Sequence, residues 1–437
     1  MRYLLAAGSG FLLAALLLTG CSSGAPDGPV LSETTVDGRT VTEINLDAIP
    51  EEPVEMGLSE FFEGMNVIRL ESDPDALAMN AQLYFADDFI LLGTQGSEAA
   101  RLLRFDYQGN YLNEIGAAGQ GPGEHSGNMI NNLAYYEDDN TVLADFGALG
   151  EPAQLFRPDG TFLDVVRWPY RLMSNIQRLS ADTYFSYEGT AGRPRYPRDS
   201  LKIVFYESDG TVTRRIDRSV YPPENTTEYT PYGSASSVTY NGEHKIYYPE
   251  DHTIYRVGDG ELIPDAVIRP GENIRPYNKL MSPEEVEGTY DLELLSETDR
   301  YWLIKKSTIN EVEIQEFTNQ PGRYSTRISD SQEELLVIDK ETGEGRAVVF
   351  TDDLLHMLPE MFSKRLPPWQ EGYGAYLAMS ADIYLKFLRE SERIDRRTPE
   401  VQEKLQVLDD LEPEDNYVIF RFPFQGMGDF QEAAGSS

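Results

Sequence analysis

Short runs of alternating apolar and polar residues, each broken by a tight turn, recur along most of the chain. Four of these runs place a glycine at the turn, in residues 103–112, 155–163, 204–212 and 254–262. Each predicts a β-hairpin, because the alternation matches half-buried strands and glycine adopts the positive φ that such turns need. The turn glycines are at positions 109, 160, 210 and 260, so they are 51, 50 and 50 residues apart. This regularity predicts a repeated structural unit.

A fifth hairpin, in residues 335–343, follows after a longer interval of 343 − 260 = 83 residues. The longer interval indicates an insertion of about thirty residues in the repeat. Strand-like segments at 88–92, 141–145 and 183–187 lie between the hairpins. A unit of this length with several strands is typical of a β-propeller with about four strands per blade. A long β-sandwich or a solenoid is the alternative.

The predicted ring has six blades. Five come from the hairpins, and the sixth combines segments 373–379 and 417–422 with the early strand 66–70. Such closure hides the edges of the first and last blades, which would otherwise promote aggregation. The predicted fold class is therefore all-β, a six-bladed β-propeller with a helical insertion in its last blade. We expect the ring to be monomeric.

Three segments near the C-terminus have helical rather than strand periodicity. Residues 352–364 and 381–393 carry apolar residues at helical spacing, although Pro359 is expected to break or kink the first. A third helix is predicted over 399–411, because Pro399 is favoured at the first helical position. The helical insertion is placed at about 381–411 and is expected to pack as a cap on one face of the ring.

The N-terminal residues are predicted to be a secretion signal and not a spanning helix. Arg2 precedes a mainly apolar run over residues 4–18, which is shorter than the ~20 residues that a spanning helix needs. The boundary sequence L-T-G-C, residues 18–21, resembles the lipobox of bacterial lipoproteins, in which the cysteine is lipidated before cleavage on its N-terminal side. Cys21 is the only cysteine among 437 residues. The sequence therefore predicts a signal peptide at 1–20 and lipid on Cys21; a secreted protein with an incidental cysteine is the alternative.

The rest of the chain divides into three parts. Residues 21–63 are predicted to be the lipidated tether and an N-terminal extension, because 22–29 are small residues and breakers without periodicity. Residues 64–424 are assigned to the propeller, and 425–437 to a disordered tail. Two or three acyl chains make a stable anchor. We therefore expect the protein at the cell envelope, anchored to a membrane outside the cytoplasm, on its periplasmic or cell-surface face.

A glycine-rich segment, I-G-A-A-G-Q-G-P-G-E at 115–124, directly follows the first hairpin. Together with residues 67–70, 105–109 and 414–416, it resembles the six-bladed β-propeller lipoprotein family, whose members are exported bacterial proteins mostly of unassigned role. The resemblance covers residues 64–424 and implies the same fold. The chain departs from the family pattern at His125, where an aromatic residue is usual, and at Tyr417, where proline is usual.

The same segment has a physical interpretation that needs no family. Gly119, Gly121 and Gly123 around Pro122 allow the chain to cross between blades where side chains would clash. A phosphate-binding loop is disfavoured, because no clear helix follows and no Lys-Ser/Thr completes a Walker motif.

The charge balance excludes one class of function. The sequence has 74 acidic and 37 basic residues, and removal of residues 1–20 takes away only Arg2, which leaves a net charge of 36 − 74 = −38. Such a surface repels nucleic acid and anionic lipid, so polyanion binding is excluded as the main role. Many acids with few lysines are also typical of proteins that stay soluble in concentrated salt. An ordinary acidic exported protein is the alternative.

No catalytic or metal-ligating set stands out in the sequence. The four histidines, His125, His244, His252 and His356, are interpreted as single surface residues, although a hairpin could bring His244 and His252 together. The acidic run at 137–140 could bind calcium but is interpreted as a solvated turn. No G-x-S-x-G elbow is present. No cofactor or metal is assigned, and calcium has no support in the sequence.

The clearest basic patch consists of Arg193, Arg195 and Arg198, which we take as candidate ligand-binding residues. Salt bridges to nearby acids are the alternative. The expected function is binding or scaffolding of a protein, peptide or glycan partner by a membrane-anchored extracytoplasmic propeller. A propeller enzyme of the calcium-dependent lactonase or sugar-cleaving type is the alternative, by fold analogy alone. A structural envelope protein without a small ligand is a third.

Overall fold

In the computed structural model, the protein contains six β-sheets of four to six strands arranged in a ring, as a six-bladed β-propeller. The predicted fold class is therefore confirmed. Cys21 and the segment 1–20 lie outside the described residues, as do Arg193, Arg195, Arg198 and the tail 425–437. The described residues are 28–78, 81–95, 99–147, 151–169, 175–187, 201–217, 235–240, 242–276, 281, 283–316, 324–356, 366, 368–370, 373–390 and 398–423.

The N-terminal described segment supplies four strands to the ring. They are β1 (Leu31–Val36), β2 (Arg39–Asn45), β3 (Val54–Gly57) and β4 (Asn66–Arg69), with a 3₁₀ turn at Leu46–Ala48 and the single-turn helix α1 (Leu58–Phe61) between them.

Blades 1, 2 and 3 are four-stranded antiparallel sheets formed by consecutive strands. A two-residue parallel pair, β9 (Ala117–Ala118) and β10 (Glu124–His125), lies in the crossing from blade 1 to blade 2. From the axis outwards, the strands are β5 (Gln82–Phe85), β6 (Ile90–Gly93), β7 (Leu102–Phe105) and β8 (Tyr111–Ile115) in blade 1, β11 (Asn132–Tyr136), β12 (Thr141–Asp145), β13 (Ala153–Phe156) and β14 (Phe162–Val166) in blade 2, and β15 (Ile176–Arg178), β16 (Thr183–Tyr187), β17 (Leu201–Glu207) and β18 (Val212–Asp217) in blade 3.

Blades 4 and 5 have the same order with additional outer strands. Blade 4 consists of β19 (Ser236–Tyr240), β20 (Glu243–Tyr248), β21 (Thr253–Val257) and β22 (Leu262–Arg269), followed outwards by β2 and β1. Blade 5 follows the short helix α2 (Pro283–Val286) and consists of β23 (Tyr290–Glu297), β24 (Tyr301–Glu316), β25 (Tyr324–Asp339) and β26 (Gly345–Thr351), with β3 outermost.

Blade 6 is closed by both ends of the chain, as predicted. It consists of β27 (Trp369–Gln370), β28 (Gly374–Ser380), β29 (Tyr417–Phe422) and, outermost, β4. The closing pair is antiparallel, with Val418 opposite Arg69. Between β28 and β29 lie the helices α3 (Ala381–Glu390) and α4 (Pro399–Leu405) and a 3₁₀ turn at Gln406–Leu408.

The strands β1 to β3 form an outer layer, here called the N-terminal belt (residues 31–57). β2 runs parallel to β22 with Ile44 opposite Ile268, and β3 runs parallel to β26 with Met56 opposite Phe350. The belt therefore covers the outer edges of blades 4 and 5, whereas β8, β14 and β18 remain the outermost strands of blades 1 to 3.

The regular spacing of the turn glycines has two structural causes. The five glycines all have positive φ, of 87°, 91°, 90°, 76° and 71° at positions 109, 160, 210, 260 and 343. Several also lie against the outer strand of the preceding blade. A Cβ on Gly210 would be 3.2 Å from the carbonyl oxygen of Arg167, and one on Gly109 would overlap the carbonyl oxygen of Arg69. Glycine is therefore needed both for the turn and for blade packing.

The hydrophobic core lies between adjacent blades. Leu91 and Leu102 of blade 1 pack with Val142 and Phe156 of blade 2 in one such cluster. All five residues of β12 are buried, because both of its faces are covered by neighbouring sheets.

The predicted helices are confirmed in part. α3 covers most of the predicted segment 381–393, and α4 with its 3₁₀ turn covers most of 399–411. The described part of the predicted helix 352–364, residues 352–356, contains no helix, and His356 has a positive φ of 52°. The remainder of 352–364 lies outside the described residues. Among the described residues, no helix is long and apolar enough to cross a membrane.

Candidate functional site

The two faces of the ring differ in the length of their connections. Because strands alternate in direction within a blade, the connections from first to second and from third to fourth strand lie at one face, here called the turn face. They have two to five residues each. The connections from second to third strand and from blade to blade lie at the other face, here called the loop face. All of them except 249–252 have seven residues or more.

Blade 5 extends beyond the ring at the loop face. β24 and β25 are paired from Tyr301–Asp339 to Glu316–Tyr324, whereas β23 pairs with β24 only as far as Thr308. Residues 309–316 and 324–331 therefore form a two-stranded extension, here called the arm. Eight residues at ~3.4 Å each give it a length of about 27 Å. The arm explains much of the longer interval in the repeat.

The base of the arm is fixed to the ring. Ile309 is 1% exposed. Its N–H donates to the carbonyl of Thr289 at 2.8 Å, and its carbonyl accepts from the N–H of Gly288 at 2.8 Å. Farther out, Glu311 and Glu313 are exposed, and the register shifts at Glu311. The arm thus presents acidic side chains from an anchored base.

The helical insertion also arises at the loop face. Thr398 caps α4, with its Oγ1 accepting from the N–H of Val401 at 3.3 Å. Val401 and Tyr384 are buried in the cluster between blades 5 and 6, while Ile383 remains 44% exposed. The insertion is therefore anchored to blade 6 and leaves apolar surface uncovered.

Polar side chains on or beside the two inner strands of blades 3, 4 and 5 form three pairs, and the carboxylate of Glu293 in blade 5 acts electrostatically on Tyr187 of blade 3. In blades 3 and 4, the hydroxyls of Tyr187 and Ser237 are 2.6 Å apart. In blade 5, Lys305 Nζ lies 2.5 Å from Glu293 Oε2. We call the full group the axial cluster; it comprises Tyr187, Ser237, Arg275, Asp291, Glu293 and Lys305.

The charges of the axial cluster are paired. Arg275 binds both carboxylate oxygens of Asp291, with Nε 3.0 Å from Oδ1. Burial raises the pKa of Tyr187 to about 12, although the hydrogen bond with Ser237 opposes the shift. Tyr187 is therefore a neutral hydrogen-bonding group at neutral pH. With each carboxylate held by a cation, the cluster suits polar binding better than general-base chemistry.

Sequence reasoning did not identify the arm or the axial cluster. Glu293 and Lys305 lie opposite each other on the neighbouring strands β23 and β24, and the sequence does not reveal the register of these strands. The interval of 83 residues was the available signal for the arm, but it did not locate the insertion within the blade.

The structure does not place the predicted ligand-binding residues. Arg193, Arg195 and Arg198 lie outside the described residues, in the connection between Tyr187 and Leu201. The described strands on either side of it are β16, which ends at the loop face with Tyr187, and β17, which begins there with Leu201.

The glycine-rich segment 115–124 crosses between blades, as predicted. Its backbone N–H groups at Gln120 and Gly121 both donate to the Glu124 carboxylate, at 2.7 Å each. The backbone N–H groups of this loop therefore bind a carboxylate from the same loop, which supports the structural interpretation over phosphate binding.

The predicted surface position is wrong for His125, which is 2% exposed and stacked 3.6 Å from the ring of Phe146. It occupies the place of the aromatic residue that is usual in the resembled family. Nor are His244 and His252 brought together. His244 lies at the start of β20 and His252 in the connection that follows it, and they bind different partners: the carbonyl of Arg178 at 2.8 Å and the hydroxyl of Tyr247 at 3.0 Å.

The acidic run at 137–140 forms a turn that is paired with a cation. Arg178 of blade 3 binds Asp138 and lies 2.6 Å from Asp139 Oδ2, with its guanidinium 4.0 Å from the ring centre of Tyr136. The run therefore links blades 2 and 3. Within the described residues, no group of three His, Cys, Asp or Glu side chains is arranged to hold a metal ion.

Comparisons with known proteins agree with this fold. A family model described as Domain of unknown function (DUF4934) matches residues 41–422. The chain is also similar to the crystal structure of a protein from Bacteroides fragilis NCTC 9343 that is described as exported. The TM-score is 0.57 at 15% identity, over 88% of this chain and 99% of that one, which shows the fold alone. No curated protein matches the chain.

Proposed function

Since the match spans residues 41–422, the chain belongs to the family described as Domain of unknown function (DUF4934), and we propose that it is a membrane-anchored propeller that binds an extracytoplasmic protein at its loop face. The observation that carries this proposal is the difference between the two faces. Short turns close one face, whereas the arm, the helical insertion and the blade-to-blade connections all arise at the other. Binding residues are commonly placed on such loops above a rigid scaffold.

The charge of the protein defines the kind of partner. The chain carries a net charge of −37, and the arm exposes Glu311 and Glu313. A partner with a basic surface is attracted to such a face, and its association weakens as salt screens the charges.

The anchoring part of the proposal rests on the sequence L-T-G-C at residues 18–21. It predicts that the mature protein begins at Cys21 with attached acyl chains and floats with membranes. The variant Cys21→Ser is expected to leave the membrane fraction. A mature wild-type chain without acyl mass on Cys21 contradicts the anchor.

Binding is tested with two charge-reversal variants of the full chain. One is Glu311→Lys with Glu313→Lys on the arm. The matched control is Asp259→Lys with Glu261→Lys, two exposed acids at the same spacing on the turn face of blade 4. A partner is first captured on the wild-type protein from envelope extracts of the source organism, then purified and titrated.

We expect the arm variant to weaken binding of that partner by about tenfold or more, which corresponds to ~1.4 kcal/mol. The control is expected to stay within a factor of about two, as for charges outside the interface. Equal effects of the two variants contradict the loop-face assignment. A wild-type protein that retains no partner at any salt concentration contradicts the binding role itself.

A further inference from the structure

The chain enters the ring at its outer rim, where blades 4 and 5 meet. Leu31 opens β1, the outermost strand of blade 4. The preceding residue, Val30, accepts a hydrogen bond from the N–H of Asn45 at 2.8 Å. Its Cγ1 would lie 3.0 Å from a Cβ on Gly345 of blade 5. Val30 is 8% exposed, so the entry point is packed against both blades.

The chain between the proposed lipid and this entry point is short. Ten residues lead from Cys21 to Leu31. Fully extended, they reach about 35 Å at most. A ten-residue chain without regular structure, as the composition of this segment predicts, would span about 17 Å on average.

The ring is wider than this tether. Opposite rims are separated by two blades of at least four strands each. With neighbouring strands about 4.8 Å apart, the width is roughly 40 Å without the central channel. A tether of this length therefore cannot bring every part of the rim equally close to its anchor.

We infer that the anchor holds the ring by one side of its rim, with the junction of blades 4 and 5 toward the membrane and the junction of blades 1 and 2 farthest from it. This inference rests on the lipidation of Cys21 that is part of the proposed function. The mature charge of −38 opposes contact between the remaining surface and anionic lipid.

In this orientation the covered sheet edges lie on the membrane side of the ring and open sheet edges lie on the opposite side. The N-terminal belt covers the outer strands of blades 4 and 5, on the membrane side. The open edges β8 and β14 are on the far side, where Leu112 and Leu163 are 41% and 40% exposed. The part of the rim that is held farthest from the membrane is therefore that of blades 1 and 2.

The test uses single introduced cysteines at equivalent turns. Thr342→Cys lies in the blade 5 turn beside the entry point, and Asp159→Cys lies in the blade 2 turn on the opposite side. Each residue directly precedes its turn glycine and is exposed. In the lipidated full chain the sulfur of Cys21 is blocked, so a maleimide donor dye labels only the new thiol. The acceptor is a headgroup-labelled lipid in phosphatidylcholine vesicles.

We expect energy transfer to be stronger from position 342 than from position 159. Equal or reversed efficiencies overturn the inference. Measurements are made on protein that floats with the vesicles, so failure of the anchor appears as loss of flotation and is distinguished from a wrong orientation. Thermal unfolding of both labelled variants checks that the ring is intact.

A longer tether provides a second test. Insertion of twenty Gly/Ser residues after Gly28 raises the average span of the tether from about 17 Å to about 30 Å. The difference in energy-transfer efficiency between positions 342 and 159 is then expected to decrease. If it stays the same, something other than tether length sets the orientation, and the inference is wrong.

Discussion

Gln370 forms two hydrogen bonds with the backbone of Phe85. Its Oε1 accepts from the Phe85 N–H at 2.7 Å, and its Nε2 donates to the Phe85 carbonyl at 2.6 Å. Gln370 lies on the first strand of blade 6 and Phe85 on the first strand of blade 1. The ring is therefore closed twice, by β4 at the rim and by this amide near the axis.

Gln370→Ala is expected to lower the free energy of unfolding by about 2 kcal/mol. Phe85 is 1% exposed, so the substitution leaves a buried donor and acceptor without partners, at ~1–3 kcal/mol for such groups. Urea denaturation measures the change. The control Gln108→Ala, at an exposed turn position, is expected to stay within about 0.5 kcal/mol. Equal stability of the two variants contradicts closure by the amide.

Two turn glycines separate backbone strain from blade packing. In Gly343→Ala the added Cβ meets no atom within 4 Å, so the only strain comes from the backbone φ of 71°. We expect the free energy of unfolding to fall by ~1 kcal/mol. Gly109→Ala carries similar strain and also overlaps the carbonyl oxygen of Arg69. Its loss is expected to exceed that of Gly343→Ala by at least ~1 kcal/mol, because the strand β4 must shift. Similar urea midpoints for the two variants would show that blade packing does not constrain Gly109.

The repeat could be predicted from sequence because each hairpin encodes its own turn. The turn glycines and the alternation around them are local signals, and they were enough to number the blades and to pair 417–422 with 66–70. The N-terminal belt could not be assigned to blades in this way. Its parallel pairing of Ile44 with Ile268 joins segments more than 200 residues apart, and no turn specifies the register.

The axial cluster could not be predicted from the sequence either. Tyr187 and Ser237 meet only because the ring brings blades 3 and 4 together, and a chain with 74 acidic residues offers many equally plausible partners for Lys305. Sites built across blade junctions depend on tertiary packing, which short-range patterns do not report.

His125 is expected to make stability fall in mild acid. Burial lowers its pKa below 6.5, although the nearby carboxylate of Glu151 opposes the shift. The folded protein therefore holds the ring neutral. The stability that the neutral ring contributes is fully present above pH 6.5. As the pH falls below 6.5 toward the lowered pKa of the folded state, the free energy of unfolding decreases, by up to ~1.4 kcal/mol per unit of difference between the unfolded and folded pKa values.

The measurement compares wild type with His125→Phe, which keeps an aromatic ring against Phe146. Unfolding free energies at pH 7.5 and 5.5 are expected to differ less in the variant than in the wild type. His244 and His252 also have pKa values lowered by burial, but they are present in both proteins and cancel. An identical pH dependence would exclude His125 as a contributor.

Lys245 and Glu297 couple blades 4 and 5 through a buried ion pair. Their side chains are 7% and 3% exposed, and Nζ lies 2.8 Å from Oε2. Burial lowers the pKa of Lys245, but its hydrogen bonds to Asp265 and Glu297 outweigh this and hold the pKa above its usual value. Lys245 is therefore charged at neutral pH.

Lys245→Met is expected to lower the free energy of unfolding by roughly 3 kcal/mol, because the buried carboxylate of Glu297 then has fewer positive charges beside it. Adding Glu297→Gln removes that carboxylate, so the double variant is expected to lose less than the sum of the two single losses, by ~1 kcal/mol or more. The exposed pair Lys404 and Glu400, 3.1 Å apart on α4, serves as control. Its coupling is expected to be about 0.5 kcal/mol or less, because water screens both groups. Additive losses at Lys245 and Glu297 would contradict an energetic coupling of the two blades through this ion pair.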